Sequence, residues 1–193
     1  FGPAKAFNTF LGGMAELISV PFILVCAWSL GDIVDQMGTS EFLIHIVENY
    51  LTPGLVPGLI FLFGAFISFA TGSSWGVWSI MMPIAIPMAI AFDLSIPYVA
   101  ASVIGGGLFG DQCSPISDTT VMSSTGASCN HVVHVMTQLP YGITVGVSAF
   151  IGFLFGGLSG QYILSIGVTA VILLIALFAL TKLSRIRHPE VIH

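Results

Sequence analysis

The chain has 193 residues, of which 55% are hydrophobic and only 7% are charged. A typical soluble domain carries about 25% charged residues, so this composition excludes a water-soluble globular protein and predicts an all-α polytopic membrane protein. The net charge of −5 excludes a nucleic-acid-binding protein, which needs a basic face. The three cysteines include no Cys-x-x-Cys pair, which indicates reduced thiols rather than a disulfide framework.

Five apolar regions are long enough to cross or enter a bilayer, since a spanning helix needs about 20 mostly apolar residues. They are residues 14–30, 55–92, 96–129, 139–158 and 162–181. We expect residues 1–193 to form a single transmembrane domain that is part of a longer protein, because the chain begins at Phe1 without an initiator methionine. Membrane lipid is then its immediate surroundings.

The second region, residues 55–92, contains 38 residues and no charged side chain, which is too long for one span. Glycines and prolines interrupt it, and residues 71–76 (TGSSWG) lie near its centre. The region is therefore either two full spans or a re-entrant hairpin with residues 71–76 at its tip. The preceding residues 40–50 (SEFLIHIVENY) fit either an interfacial amphipathic helix or an ordinary surface helix.

The basic residues predict the orientation of the chain. Lys5 precedes the first region, and Lys182, Arg185 and Arg187 follow the last. The number of crossings is even for both interpretations of residues 55–92, so both termini lie on one side. Since basic residues mark the cytoplasmic side, we expect both termini in the cytoplasm and the protein in the cell membrane.

Residues 111–118 (DQCSPISD) interrupt the third region with two carboxylates. An acid at membrane depth costs roughly 2.5–3.5 kcal/mol on insertion scales and usually faces a cavity with a function. Ser114 followed by proline predicts a helix start with Ser114 as its N-cap, which leaves Asp111 before it in unwound chain. Hard cations prefer oxygen ligands. We therefore predict a Na⁺ site, and its candidate ligands are Asp111, Asp118, Ser114, Ser117 and Thr119.

The second interruption, residues 71–76, offers hydroxyls and flexible backbone without charge. Gly72 permits a turn, and Ser73 or Ser74 is suited to cap the helix that follows. Paired interrupted helices are the best sequence indication of a secondary-transporter site, so we expect the two interruptions to meet near the bilayer midplane. Thr71, Ser73 and Ser74 are further candidate ligands, although small residues also serve close helix packing.

Other interpretations of these side chains stay open at this stage. The two aspartates could cap loops outside the membrane, and Asp118 could simply open a helix. His131 and His134 are three residues apart. We expect them in a solvated cytoplasmic loop, where they could sense pH, and the alternative is a shared helical face that binds a metal. A carboxylate inside the membrane would bind either Na⁺ or a proton, and each would displace the other.

Two segments resemble a known family. Residues 109–141 (FGDQCSPISDTTVMSSTGASCNHVVHVMTQLPY) resemble the signature region of the NhaC family of Na⁺/H⁺ antiporters, and residues 71–85 (TGSSWGVWSIMMPIA) are similar to its preceding hairpin. The resemblance covers most of the chain and implies the C-terminal half of a transporter of the ion transporter superfamily. It also implies two inverted repeats, each with a re-entrant hairpin and an interrupted helix, and elevator-like movement of the site.

The resemblance implies Na⁺/H⁺ exchange without a cofactor or an enzymatic reaction. The implied partners are the N-terminal half of the same transporter and, as an alternative, a second copy of the chain. A rival function is a sodium- or proton-coupled antiporter of organic acids such as malate or lactate. Two further classes of protein are alternatives. An intramembrane aspartyl protease needs two aspartates on separate helices, whereas Asp111 and Asp118 lie in one segment of the sequence. A passive structural membrane module would need neither acid.

Overall fold

The computed structural model describes residues 2–16, a few positions between 25 and 45 (25, 29, 33, 36–38, 42, 44 and 45) and residues 52–187. The longer described stretches are all-helical, as the composition predicts. The helices are α1 (Pro3–Glu16), α2 (Val56–Thr71), α3 (Ser74–Ala91), α4 (Ile96–Cys113), α5 (Asp118–Gly126), α6 (His131–Ser159) and α7 (Tyr162–Arg187), with a 3-10 turn (Pro53–Leu55) leading into α2.

Within the described residues, four helical segments are long and apolar enough to cross a membrane: Pro53–Thr71, Ser74–Ala91, His131–Ser159 and Tyr162–Lys182. Large apolar side chains cover the outside of the molecule. On α7, Ile163 is 87% and Phe178 is 74% exposed. An outer surface of this kind is suited to lipid rather than to water, and the chain is a multi-pass membrane protein.

Some of the predicted regions agree with the structure, and others lie largely outside the described residues. Residues 55–92 form α2 and α3, which are joined at Gly72 and Ser73, and α3 continues through both of its prolines. The predicted interruption of residues 96–129 separates α4 from α5. The amphipathic helix predicted at residues 40–50 and most of the span predicted at residues 14–30 lie outside the described residues.

The prediction of a loop around His131 and His134 is wrong. Helix α6 begins at His131 rather than at residue 139. The physical reason is a local cap, because the side-chain oxygen of Asn130 accepts a hydrogen bond from the N–H of Val133 at 3.2 Å. Such an N-cap satisfies one of the free N–H groups of the first helical turn.

Helix α4 lies at the centre of the described structure, with α2 and α3 packed against it. Glycines allow the backbones of α2 and α4 to touch: a Cβ atom at Gly106 would meet the carbonyl oxygen of Phe61, and one at Gly110 would meet that of Ala65. The two backbones therefore approach each other closely at Gly106 and Gly110. This is the small-residue packing typical of membrane helices.

Tyr98 connects α4 to the two helices at the end of the chain. Its hydroxyl lies 2.9 Å from the carbonyl oxygen of Gly152 in α6 and 2.9 Å from Oγ of Ser165 in α7. Ser165, which is buried, also donates to the Gly152 carbonyl at 2.8 Å. These polar contacts fix α6 and α7 to α4 in an otherwise apolar region.

Tyr98→Phe should therefore destabilise the protein. Since hydrogen bonds of this kind contribute about 0.5–1.5 kcal/mol each, we expect a measurable fall in the melting temperature of the intact protein in detergent. The matched control is Tyr141→Phe, which removes a hydroxyl from a side chain that is 67% exposed. Equal melting temperatures for the two variants would contradict the role assigned to Tyr98.

Candidate functional site

The first interruption is a tight turn between α2 and α3. Gly72 ends α2 in the left-handed conformation (φ 70°) and its N–H donates to the carbonyl oxygen of Ser68 at 2.7 Å. Ser73 is extended, and its hydroxyl accepts a hydrogen bond from the N–H of Gly76 at 3.4 Å. Gly72 is the turn residue and Ser73 is the N-cap of α3, as the sequence suggests.

The second interruption differs from its prediction in two respects. Asp111 is not in unwound chain but in the last turn of α4, which ends at Cys113. Ser114 is the C-cap of α4 rather than an N-cap, because the residue before a proline is disfavoured in the α conformation. The N-cap of α5 is Ser117, whose hydroxyl accepts from the N–H of Thr120 at 3.3 Å. We call residues 114–117 the break loop.

The two interruptions contact each other. The hydroxyl of Ser114 in the break loop donates to the carbonyl oxygen of Phe69, at the end of α2, at 2.7 Å. The Cα atom of Gly72 faces the carbonyl group of Ile116, and a Cβ atom there would lie 2.7 Å from that oxygen. The expected meeting of the two interruptions is thus present in the structure.

Asp111 is the buried acid at this junction, with only 3% of its surface exposed. Its Oδ1 accepts a hydrogen bond from the hydroxyl of Ser117 at 2.6 Å, and its Oδ2 accepts from Ser74 at 3.3 Å and Thr119 at 3.4 Å. The hydrogen bond from Ser117 is the shortest of the three. We call Asp111, Ser74, Ser117 and Thr119 the Asp111 cluster.

In the described part of the chain, the hydrogen-bond partners of Asp111 are the hydroxyls of Ser74, Ser117 and Thr119. The four lysine and arginine residues of the chain are Lys5, Lys182, Arg185 and Arg187, and none lies between residues 6 and 181. A buried carboxylate without a counter-ion is costly. Its charge is compensated by a bound cation or removed by a proton, and the surrounding hydroxyl oxygens are suitable ligands for a hard cation.

The other four predicted ligands have different roles in the structure. Asp118 is exposed in the first turn of α5, where its Oδ1 accepts from the N–H of Thr119 at 2.7 Å. Thr71 is exposed, and its hydroxyl donates back to the carbonyl of Ile67 at 2.9 Å. Ser73 caps α3, and Ser114 joins the two interruptions.

Three side chains at the site were not among the predicted ligands. Ser68 is buried and donates to the carbonyl of Gly107 at 2.6 Å. Thr120 is 2% exposed, and its hydroxyl has no partner in the described part of the chain. His131 contacts the carbonyl of Pro115 in the break loop. For Ser68 and Thr120 the only signal in the sequence is a small polar residue within an apolar helix or beside a motif.

Gly72→Ala tests the junction directly. We expect a loss of about 1–2 kcal/mol from the left-handed conformation alone, and a further loss from contact with Ile116. The measurement is the melting temperature of the intact protein with and without saturating Na⁺. Gly126→Ala is the control, because a Cβ atom at Gly126 has open space around it. If both variants melt like the parent protein, the tight junction is refuted.

The fold and the site together define a class of protein. An all-helical multi-pass membrane protein, with a buried carboxylate between two interrupted helices, has the arrangement typical of secondary transporters. The family model described as the Na⁺/H⁺ antiporter family matches residues 3–158, and the chain belongs to this family.

Two of three similar proteins carry antiporter names. An uncharacterized protein of Haemophilus influenzae is 40% identical over 177 residues (91% of this chain and 34% of the relative). A malate-2H⁺/Na⁺-lactate antiporter of Bacillus subtilis is 27% identical over 155 residues (78% and 33%). An uncharacterized Na⁺/H⁺ antiporter of H. influenzae is 30% identical over 122 residues (61% and 25%). The chain spans about a third or less of the length of these relatives. No solved structure matches the chain.

Proposed function

We propose that the chain is the ion-binding part of a secondary antiporter that exchanges Na⁺ for H⁺ across the cell membrane, with both termini in the cytoplasm. The observation that supports this most strongly is Asp111, a buried carboxylate whose partners are hydroxyls and not cationic side chains. Such a group needs either a cation or a proton to be stable inside the protein.

Exchange follows from competition for one carboxylate. When Asp111 binds a proton it is neutral, and the hydroxyls of Ser74, Ser117 and Thr119 satisfy its oxygens. When Na⁺ enters, the proton leaves, and the same hydroxyls rotate so that their lone pairs face the ion. Because one carboxylate cannot hold both ions at full strength, Na⁺ movement in one direction is coupled to proton movement in the other.

The remaining predicted residues have supporting roles in this proposal. Asp118, exposed at the start of α5, is a second acid on the path of the ion to Asp111. Ser114, Thr71 and Ser73 shape the two interruptions, which move together as a unit during transport. Re-entrant insertion of α2 and α3 and an inverted repeat elsewhere in the transporter belong to the same proposal.

The rest of the transporter is the main partner that we propose. The chain corresponds to about a third of its relatives, so further ligands and the scaffold come from other segments, and a dimer of transporters is a second arrangement. The whole is a transporter and not an enzyme, in agreement with the names of the relatives.

One observation favours a second candidate function. The B. subtilis relative is named a malate-2H⁺/Na⁺-lactate antiporter, so organic acids are the alternative substrates. A carboxylate substrate would need a cationic or amide partner, and this chain has no Lys or Arg between residues 6 and 181. The alternative therefore requires an amide of this chain, such as Gln112 or Gln138, or a basic residue from another segment.

The deciding experiment uses the intact transporter in proteoliposomes with a trapped pH dye. For the Na⁺/H⁺ exchanger, an inward Na⁺ gradient alone should drive proton efflux, and added malate or lactate should not change its rate. If proton movement requires malate or lactate inside or outside the vesicles, the organic acid antiporter is correct. Proton movement that does not depend on Na⁺ would refute both candidate functions.

A further inference from the structure

His131 ties together three elements that meet at the break loop. It is the first residue of α6, its Nε2 lies 2.7 Å from the carbonyl oxygen of Pro115, and its Nδ1 lies 3.1 Å from Oγ of Ser124 in α5. The imidazole is half-buried. One side chain of α6 thus holds both the break loop and the helix that follows it.

The hydrogen bonds of this imidazole depend on its protonation. The Pro115 carbonyl can only accept, so Nε2 carries a hydrogen. A neutral imidazole then has an acceptor at Nδ1, which competes for the single hydrogen of Ser124, because this hydroxyl also lies 2.9 Å from the carbonyl oxygen of Val121. A protonated imidazole donates to Ser124, which is then free to donate to Val121. The charged form therefore satisfies every contact at once.

The break loop transmits this contact to the acid. Ser117, two residues after Pro115, gives Asp111 its shortest hydrogen bond at 2.6 Å. The other end of the loop is fixed by Ser114, which donates to Phe69 in α2. His131 thus contacts the middle of the four-residue break loop. Loss of this contact allows the Ser117 hydroxyl to move away from the Asp111 carboxylate.

We propose that His131 is a positioning residue for the Asp111 cluster, and that its protonation tightens its hold on the break loop. The proposal rests on the function proposed above, because the cluster is assumed to bind the transported ion. The hydrogen-bond partners of His131 within the described residues are Pro115 and Ser124, which lie outside the Asp111 cluster. It acts on them through the Pro115 carbonyl and the backbone of the break loop.

The titratable groups on the elements around His131 are few. They are Tyr98, Asp111 and Cys113 on α4, Asp118 on α5, Cys129 between α5 and α6, and His134 and Tyr141 on α6. Cys129 contacts the carbonyl of Ser124 at 3.5 Å and His134 contacts Ser123 at 3.4 Å. Within the described residues the polar partners of His131 are Pro115 and Ser124, and neither side chain carries a charge. The two hydrogen bonds therefore change with the protonation of His131 itself.

Thiol labelling measures the hold on the break loop without transport. Cys113, buried at the end of α4, is made the single thiol of the intact transporter by Cys26→Ser, Cys129→Ser and the replacement of any cysteine in the rest of the transporter by serine. His131→Ala should raise its maleimide labelling rate in membranes about fivefold, the change expected for loss of one ordinary hydrogen bond. His134→Gln is the matched control and should label like the parent. Equal rates for His131→Ala and the parent would overturn the proposal.

His131→Gln separates the protonation from the contact, and it keeps the test decisive if His131→Ala does not fold. Glutamine donates to Pro115 but does not titrate. The labelling rate of His131→Gln relative to the parent should be near one at about pH 8 and rise at least about twofold by about pH 5.5, the range in which imidazoles gain charge. A ratio that stays constant over this range would overturn the role of the proton.

Transport in proteoliposomes then tests the coupling to the ion site. His131→Ala should raise the half-saturating Na⁺ concentration about fivefold, and His131→Gln should restore it near the parent value at pH 8. Altered labelling with unchanged Na⁺ dependence would overturn the positioning role. If the parent protein itself shows no Na⁺-driven flux while the labelling results hold, the proposed function fails and the hold of His131 on the break loop stands.

Discussion

Asp111→Asn in the intact transporter should abolish Na⁺-driven proton movement while the protein still inserts and folds. Asparagine has nearly the same shape and can still accept from Ser117, but it carries no charge and binds no proton in this pH range. Loss of one charge from a buried ion pair typically costs about 3–5 kcal/mol, so we expect a fall in apparent Na⁺ affinity of at least about 100-fold. The measurement is Na⁺-driven dye response in proteoliposomes.

Two other acids supply controls for this variant. Asp93 lies in the turn between α3 and α4 with a φ of 51°, a conformation that asparagine tolerates, so Asp93→Asn should exchange like the parent. Asp118→Asn should reduce exchange less than Asp111→Asn, because Asp118 is exposed in the described chain and already bonded to the N–H of Thr119. Parent-like exchange by correctly folded Asp111→Asn would remove Asp111 from the mechanism.

Gly106→Ala should have the largest effect on folding. The added Cβ atom would meet the carbonyl oxygen of Phe61 and lie 3.1 Å from the N atom of Ala65. Both are backbone atoms of α2 and cannot rotate away. Overpacking costs about 1–3 kcal/mol even where side chains can adjust, so we expect α2 and α4 to separate and the yield of monodisperse protein on size-exclusion chromatography to fall several-fold.

The neighbouring glycine provides the matched control. A Cβ atom at Gly105 would meet ring carbons of Phe153 and Phe61 at 3.4 and 3.5 Å, which are ordinary contacts with side chains. Gly105→Ala should therefore keep the parent yield and melting temperature. If Gly106→Ala behaves in the same way as Gly105→Ala, the direct contact of α2 with α4 is not required for folding.

Hydropathy predicts the membrane helices that are long and uninterrupted, and α7 is the clearest case, because residues 162–181 contain no charge and no proline. It fails at the start of α6, where a polar stretch with two histidines is helical because Asn130 caps it. It cannot choose between two spans and a re-entrant hairpin for α2 and α3. Each of these helices is long enough to span by itself.

The candidate site shows a second limit of the sequence. Asp111 and Asp118 have the same chemistry and lie in the same motif, so the sequence gives no reason to separate them. Their burial depends on helix phase: Asp111 continues the face of α4 that carries Gly107 and packs on Ser74 of α3, whereas Asp118 begins a new helix after the break loop. Ser114 directly precedes Pro115, and Ser117 follows it two residues later. The local rules for caps favour Ser114, whereas the N-cap of α5 is Ser117.

The most direct test is equilibrium binding of radiolabelled Na⁺ to the purified intact transporter at a series of pH values. Competition at Asp111 predicts saturable Na⁺ binding. On the acid side, the Na⁺ affinity should fall by up to about tenfold for each unit by which the pH is lowered. Asp111→Asn should lose this binding. Na⁺ binding that is independent of pH, or that survives Asp111→Asn unchanged, would contradict the exchange of Na⁺ and H⁺ on this carboxylate.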